Sequence, residues 1–218
     1  MSDPFVFVPA EHAARARNKM LSSVVVPRPI AMVTTVSADG VANIAPYSYY
    51  QPVTWSPMLV SIAVGRRGAD RRSDTPLTGF KDTYVNATAT GEFVINVTTE
   101  RFHGHIELAA TEYPPEVDEF DVVPWTPTRS QRVAPPSITE APVRVECRLH
   151  DVYDLGTGDG AVKLLIGEVV CIVAAPEVVR DGMWIDAHAL VPIGRLGGRD
   201  YVVTTAENTY AEPRVALR

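Results

Sequence analysis

Asp39-Gly40 stands between two apolar runs rich in β-branched residues, 30–36 and 41–45. Two residues able to take positive φ at such a junction turn the chain back on itself, so the runs are expected to pair as an antiparallel hairpin. Residues 58–64, opened by Pro57 and closed by Gly65, read as a further strand, as do 93–97 and 143–152. A hairpin loop over 156–160 leads to a long partner strand over 163–173. Helices are expected only in short pieces. These are 11–20, then 83–90 with Asp82 or Thr83 as N-cap and Gly91 as its stop, and a stretch over 101–113 mildly interrupted at Gly104. Residues 189–193 read as strand-like, with a turn at Gly197-Gly198. Strands with tight turns and short helices imply a mainly β, antiparallel fold built as a small closed or half-closed barrel.

The chain has 218 residues, 46% of them apolar, enough for one domain over 1–218 with its core at about 26–201. The segment 113–136 carries six prolines and two acidic patches and is expected to wrap the surface as a loop. The net charge of -6, from 20 basic and 26 acidic residues, argues against a general nucleic-acid binder. Cys147 and Cys171 form neither a disulfide framework nor a metal-spaced pair and read as buried free thiols. No run approaches the roughly 18 apolar residues of a membrane span. The chain also lacks a basic start followed by an apolar stretch, so a cytoplasmic location with no membrane partner is expected. No metal is expected either: His103 and His105 fall on different helix faces, and His188 has no partner at a recognised spacing. Gly194-Arg195-Leu196-Gly197-Gly198 lacks the spacing of a dinucleotide-binding turn and lies outside any βαβ unit.

Two constellations could carry chemistry. Lys81-Asp82-Thr83 sets a cation and a hydroxyl beside the exposed amides of a helix start, which suits a phosphate. As a tripeptide alone it is also an ordinary helix cap with a solvated lysine. Arg66, Arg67, Arg71 and Arg72 nearby are either a solvated loop or an anion clamp. Ser48, flanked by Tyr47, Tyr49 and Tyr50, could edge a planar ring and hydrogen-bond its rim. The alternative is a tyrosine-rich strand packed on a neighbour or a subunit.

Taken in order, Arg28-Pro29-Ile30 with Thr34-Thr35, Asn43-x-Ala45-Pro46-x-Ser48, and Lys81-Asp82-Thr83-x-x-Asn86 form a pattern. With weaker support from Asp118-Glu119-Phe120, Glu146-Cys147, Gly167-Glu168-Val169 and Arg195-Leu196-Gly197-Gly198 before Tyr201, the chain from about 26 to 201 resembles the flavin reductase-like family of FMN-binding split barrels, especially its flavoredoxin-like branch. The resemblance implies an antiparallel six-stranded split barrel, a homodimer, and FMN on the dimer-facing side. It implies an NAD(P)H-linked flavin reductase, with FAD possible as a substrate and a monooxygenase as a possible partner, or a related FMN-binding electron carrier. The flavin would carry the hydride chemistry, so no catalytic acid–base residue is expected. The expected FMN-binding residues are Arg28, Thr34, Thr35, Asn43, Ala45, Pro46, Tyr47, Ser48, Tyr49, Arg67, Lys81, Asp82 and Thr83. Lys81 and Thr83 would hold the phosphate, assisted by Arg28 and by Arg66 or Arg67, and backbone amides around 46–49 would face the ring. Arg195 and Tyr201 would face the nicotinamide, unless that segment is only a turn ending the barrel. The loop 66–80 is longer than the family pattern.

Overall fold

The computed structural model describes residues 4–68 and 79–213; Arg71 and Arg72 lie outside them. In chain order the strands are β1 (Arg28–Pro29), β2 (Ala31–Val36), β3 (Ala42–Tyr47), β4 (Tyr50–Trp55), β5 (Met58–Gly65), β6 (Glu92–Val97), β7 (Pro127–Thr128) and β8 (Ser137–Ile138). They continue with β9 (Val143–Leu155), β10 (Val162–Ala174), β11 (Val179–Arg180), β12 (Trp184–Ile185), β13 (Ile193–Arg195) and β14 (Tyr201–Val203). The helices are α1 (Ala14–Val24), α2 (Asp82–Thr90), α3 (Ile106–Ala109) and α4 (Ala187–Leu190).

The hairpin expected at Asp39-Gly40 forms, with Thr35 opposite Asn43 and Ala31 opposite Tyr47. Its turn differs from the expectation. Only Gly40 takes a positive φ, +87°. The Gly40 N–H donates to the Ser37 carbonyl (3.0 Å) and the Ser37 N–H to the Val41 carbonyl (2.9 Å), closing a three-residue loop. A left-handed glycine ending such a loop matches the twist of the strands it joins.

Seven antiparallel strands, one more than expected, make the main sheet in the order β3-β2-β6-β9-β10-β5-β4. The extra strand is β4, whose Pro52 lacks an N–H and so suits a sheet edge. The edges β3 and β4 are separated in the chain only by Ser48-Tyr49. A sheet whose two ends are tied by two residues has to curl until they meet. No ladder joins β3 to β4 among the described residues, so the barrel stays split. This is the mainly antiparallel architecture expected from the sequence.

Because side chains alternate across a strand, β2 serves two cores. Ala31 and Val33 point to the barrel interior with Ile62, Phe93, Ile95 and Leu165. Met32 faces the other way, into a cluster with Ile44, Phe102, Ile106, Trp125 and Ile138. Gly167 on β10 lets the interior close: a Cβ there would lie 2.3 Å from Cζ of Phe93. The segment 113–136 does more than wrap the surface, since Val123 and Trp125 belong to the second core. The fully buried Glu146 carboxylate holds it by accepting the Gln131 (2.7 Å) and Arg132 (2.6 Å) N–H groups.

Several local expectations shift. Helix α1 starts three residues later than expected and buries none of its side chains. The N-cap of α2 is Lys81, without a side-chain cap bond, while Gly91 ends the helix at φ +75° as expected. Gly104, at φ +82°, breaks the 101–113 stretch into a 3-10 turn, Glu100–Phe102, and the four-residue α3. Of the stretch 189–193 expected as extended, residues 189 and 190 belong to α4, which the Asp186 carboxylate caps by accepting the His188 N–H (2.8 Å), and the strand begins only at Ile193. Cys147 is fully buried, and Cys171 only half-buried. No helix among the described residues is long and apolar enough to cross a membrane.

Candidate functional site

Asn43, Ala45 and Tyr47 share one face of β3 by the period of two, and α2 packs over that face. Beneath the helix the polar side chains satisfy one another. Oδ1 of Asn43 accepts from the Thr83 hydroxyl (2.8 Å) and the Thr35 hydroxyl (3.2 Å). Nδ2 of Asn86 donates to the Thr35 hydroxyl (3.1 Å), and Nδ2 of Asn43 donates to Oε2 of Glu119 (2.9 Å). Glu119 also accepts the Ile44 N–H, on the edge of β3 that faces away from β2. Thr34, on the opposite face, donates to the Pro136 carbonyl (2.5 Å). The hydroxyls of Thr34, Thr35 and Thr83, read from the sequence as cofactor contacts, therefore point into the protein, where all three residues are fully buried. Thr35 and Thr83 tie β2 and α2 to Asn43 on β3, and Thr34 ties β2 to the segment ending at Pro136.

Glu119 had no assigned role in the sequence reading. It is 4% exposed, and burial pushes its carboxyl up to about 8, against the smaller opposing pull of its bonds to Ile44 and Asn43. Tyr47 is also enclosed, and its hydroxyl has no hydrogen-bond partner among the described residues. Burial raises its pKa well above the usual phenol range; the nearby Thr83 hydroxyl pulls it down less strongly, and the carboxyls of Glu112, Glu119 and Asp82 push it further up.

The start of α2 forms a hollow with β3 and the 109–113 segment. Tyr84 and Val85 both donate their N–H groups to the Lys81 carbonyl (3.0 and 3.3 Å), so the N–H groups of Asp82 and Thr83 have no acceptor within the helix. Two cations flank this helix end. Arg67 pairs with Asp82 and donates to the Phe80 (3.2 Å) and Tyr113 (3.1 Å) carbonyls. Lys81 pairs with Glu112 at 2.7 Å. Burial raises the Asp82 pKa, and the opposing pull of Arg67 does not overcome it. The hollow itself measures about 20 Å³ and is lined by Asn43, Ala45, Lys81, Glu112, Tyr113 and Glu119 among others. Arg66 stands apart, with its guanidinium 5.3 Å from the Phe80 ring.

Arg28 is held elsewhere. Its guanidinium, on a residue only 6% exposed, donates to the carbonyls of Ser22, Val25 (2.6 Å) and Leu196 (2.9 Å), with a longer contact to the Ser48 hydroxyl (3.4 Å). It ties the end of α1, the β3–β4 junction and the C-terminal turn together, and it is not among the residues that line the hollow at α2. Pro46 and Ser48 are half-buried beside it, and Tyr49 is exposed, its hydroxyl 3.3 Å from Oδ1 of Asn18. Pro46 offers no N–H, which leaves the amides after it as the donors of that segment.

At the C-terminal side, β13 pairs with both β1 and β14, setting Arg195 opposite Arg28 on one side and Tyr201 on the other. The Arg195 guanidinium lies 5.7 Å from the Tyr201 ring centre, and the Tyr201 hydroxyl lies 3.4 Å from Oε1 of Glu107. Tyr201 thus walls a cavity of about 610 Å³, separate from the hollow at α2.

Comparison with known proteins agrees with this architecture. YwrF of Bacillus subtilis (strain 168) is 37% identical over 213 residues, 96% of this chain and 99% of that protein. The structure of nitrilotriacetate monooxygenase component B from Bacillus cereus superposes with a TM-score of 0.83 at 33% identity, covering 100% of both chains. The 2-nitrobenzoate 2-nitroreductase NbaA of Pseudomonas fluorescens gives 0.82 at 26% identity, covering 98% and 99%. A protein with a split barrel domain from Shewanella frigidimarina shares the fold, at 0.78 and 18% identity over 98% and 100%. Residues 21–189 match the model of the flavin reductase like domain, and the chain belongs to that family.

Proposed function

We propose that the protein binds FMN and transfers hydride from NAD(P)H to flavin. The observation that carries this reading is the start of α2: two helix amides with no acceptor within the helix, flanked by Lys81 and Arg67, in a chain of the flavin reductase-like family. That donor set suits the phosphate of FMN. The hollow of about 20 Å³ is far below the roughly 300–1,000 Å³ of organic-ligand pockets, so only the phosphate end belongs there. Glu112 is the group that an incoming phosphate would replace on Lys81. Glu119, its carboxyl pushed up to about 8, carries little charge at neutral pH and adds little repulsion to the anion. The Thr35–Asn43–Thr83–Asn86 network fixes α2 against β3, so the amides are oriented before any ligand arrives. FMN, when bound, supplies the ring that accepts the hydride.

In this proposal Ser48, Tyr49 and the amides of that segment border the ring, and Arg195 and Tyr201 lie on the nicotinamide side. The protein works as a homodimer in the cytoplasm, and the similarity to a monooxygenase component B supports a monooxygenase as the consumer of its reduced flavin. The purified protein, mixed with FMN or FAD and then with NADH or NADPH, is expected to consume the nicotinamide with at least one pair. Tight FMN binding without nicotinamide oxidation would replace this reading with that of an electron carrier. Failure to bind FMN would overturn both.

A further inference from the structure

We propose that a cleft between the Glu100–Phe102 turn and α4 binds a small α-amino acid with an apolar side chain. The cleft measures about 280 Å³. Drug-sized ligands take roughly 300 Å³ or more, so this space suits a smaller molecule. It shares no lining residue with the hollow at α2 or with the cavity beside Tyr201, so the proposal stands apart from the flavin reading. Pro142, Ala189, Leu190 and Val191 form its apolar side. Leu190 also packs on the barrel core, which backs that side.

The charged lining is balanced, with a guanidinium from Arg101 and a carboxylate from Glu100. A zwitterion satisfies both, whereas a simple acid meets Glu100 and a simple amine meets Arg101. Arg101 can change partners at little cost. Its contact with Glu177 is 3.6 Å long, and both side chains are more than half exposed, a pairing that contributes little. Thr99 completes the lining. It is 1% exposed, and its hydroxyl has no hydrogen-bond partner among the described residues. A polar group shut from water without a partner is costly, and a carboxylate brought into the cleft supplies the missing acceptor.

Two neighbours share that condition. The Thr98 hydroxyl and Nε of Arg144 are also buried without a partner among the described residues. Asn96 stands opposite Arg144 in the β6–β9 ladder, and Thr98 follows two residues later on the same side of the chain. The unmet polar groups therefore gather at this end of the sheet instead of scattering through the fold. The walls of the cleft are also fixed in advance. Val191 takes a φ of +51°, which a β-branched residue adopts only where its surroundings hold it. Its carbonyl accepts the Glu100 N–H (3.1 Å), and Pro192 bridges to Thr99, so the two sides are tied together before a ligand arrives.

Calorimetric titration of the full-length protein with L-leucine tests this. Three analogues each remove one feature: isocaproate lacks the ammonium, isoamylamine the carboxylate, and glycine the apolar side chain. Leucine is expected to bind at least about tenfold more tightly than any of them. Arg101→Gln and Thr99→Val are each expected to weaken leucine by at least about tenfold, with an unchanged circular dichroism spectrum. Arg101 is exposed, so its variant carries the test if Thr99→Val fails to fold. Absence of leucine binding, equal affinity for any one analogue, or unchanged leucine affinity in either folded variant overturns the proposal.

Discussion

Glu119 carries a pH dependence of stability that its neighbours make inevitable. Burial raises its carboxyl from 4.5 to about 8, so between those values the folded protein holds a proton that the unfolded chain has lost. Stability from this group is complete below the lower value and falls as pH rises through the window, by roughly 1.4 kcal/mol per unit. Glu119→Gln, which keeps the shape of the neutral acid, is expected to flatten that fall, and denaturant midpoints at the two ends of the window will show it. At Lys81 the expectation concerns the ligand. Lys81→Ala removes a charge-assisted bond worth roughly 1.5–3 kcal/mol, which should weaken FMN about ten- to a hundredfold and leave riboflavin nearly unchanged. Equal losses for the two flavins, measured by fluorescence quenching, would show that Lys81 does not touch phosphate. The motifs holding these residues were visible in the sequence, but their directions were not. Alternation says that Asn43, Ala45 and Tyr47 share a face; it does not say that α2 will cover it. Glu119 reaches Asn43 across 76 residues of chain, and no local pattern marks such a contact.

Strands with strong patterns were legible as elements, and those shaped by tertiary context were not. The β2–β3 hairpin and the β9–β10 pair follow from apolar runs and turn residues. β4 escaped because all six of its residues, Pro52 among them, are exposed or only half-buried, so the hydrophobic signal is missing and the sheet alone makes it a strand. Residues 189 and 190, read as extended, end a one-turn helix: Asp186 is a good N-cap and Ala and Leu favour helix, but a single turn is too short to show a helical period. Gly167 offers a test at this scale. A methyl group there collides with the Phe93 ring, so Gly167→Ala should destabilise the barrel by about 1–3 kcal/mol. Phe93→Leu in the same chain should recover part of the loss in urea unfolding, since it removes the colliding atom.

As a whole molecule, the protein leaves the β4–β5 hairpin uncovered, with Trp55 89% and Val53 53% exposed. A homodimer is expected to bury this face. Light scattering should give twice the 23.7 kDa chain, and Trp55→Glu should shift the mass towards one chain while the circular dichroism spectrum stays unchanged. The order of strands in the sheet also bears on the birth of the chain. β5 pairs with β4 on one side and β10 on the other, and Ile62 waits for Leu165, 103 positions later (165 − 62). Ribosomes add roughly 5–20 residues per second, so translation leaves that side of β5 without its partner for roughly 5–20 s. During that interval the nascent protein presents an unpaired strand edge, the feature most prone to recruit a strand from a neighbouring chain on the same polysome.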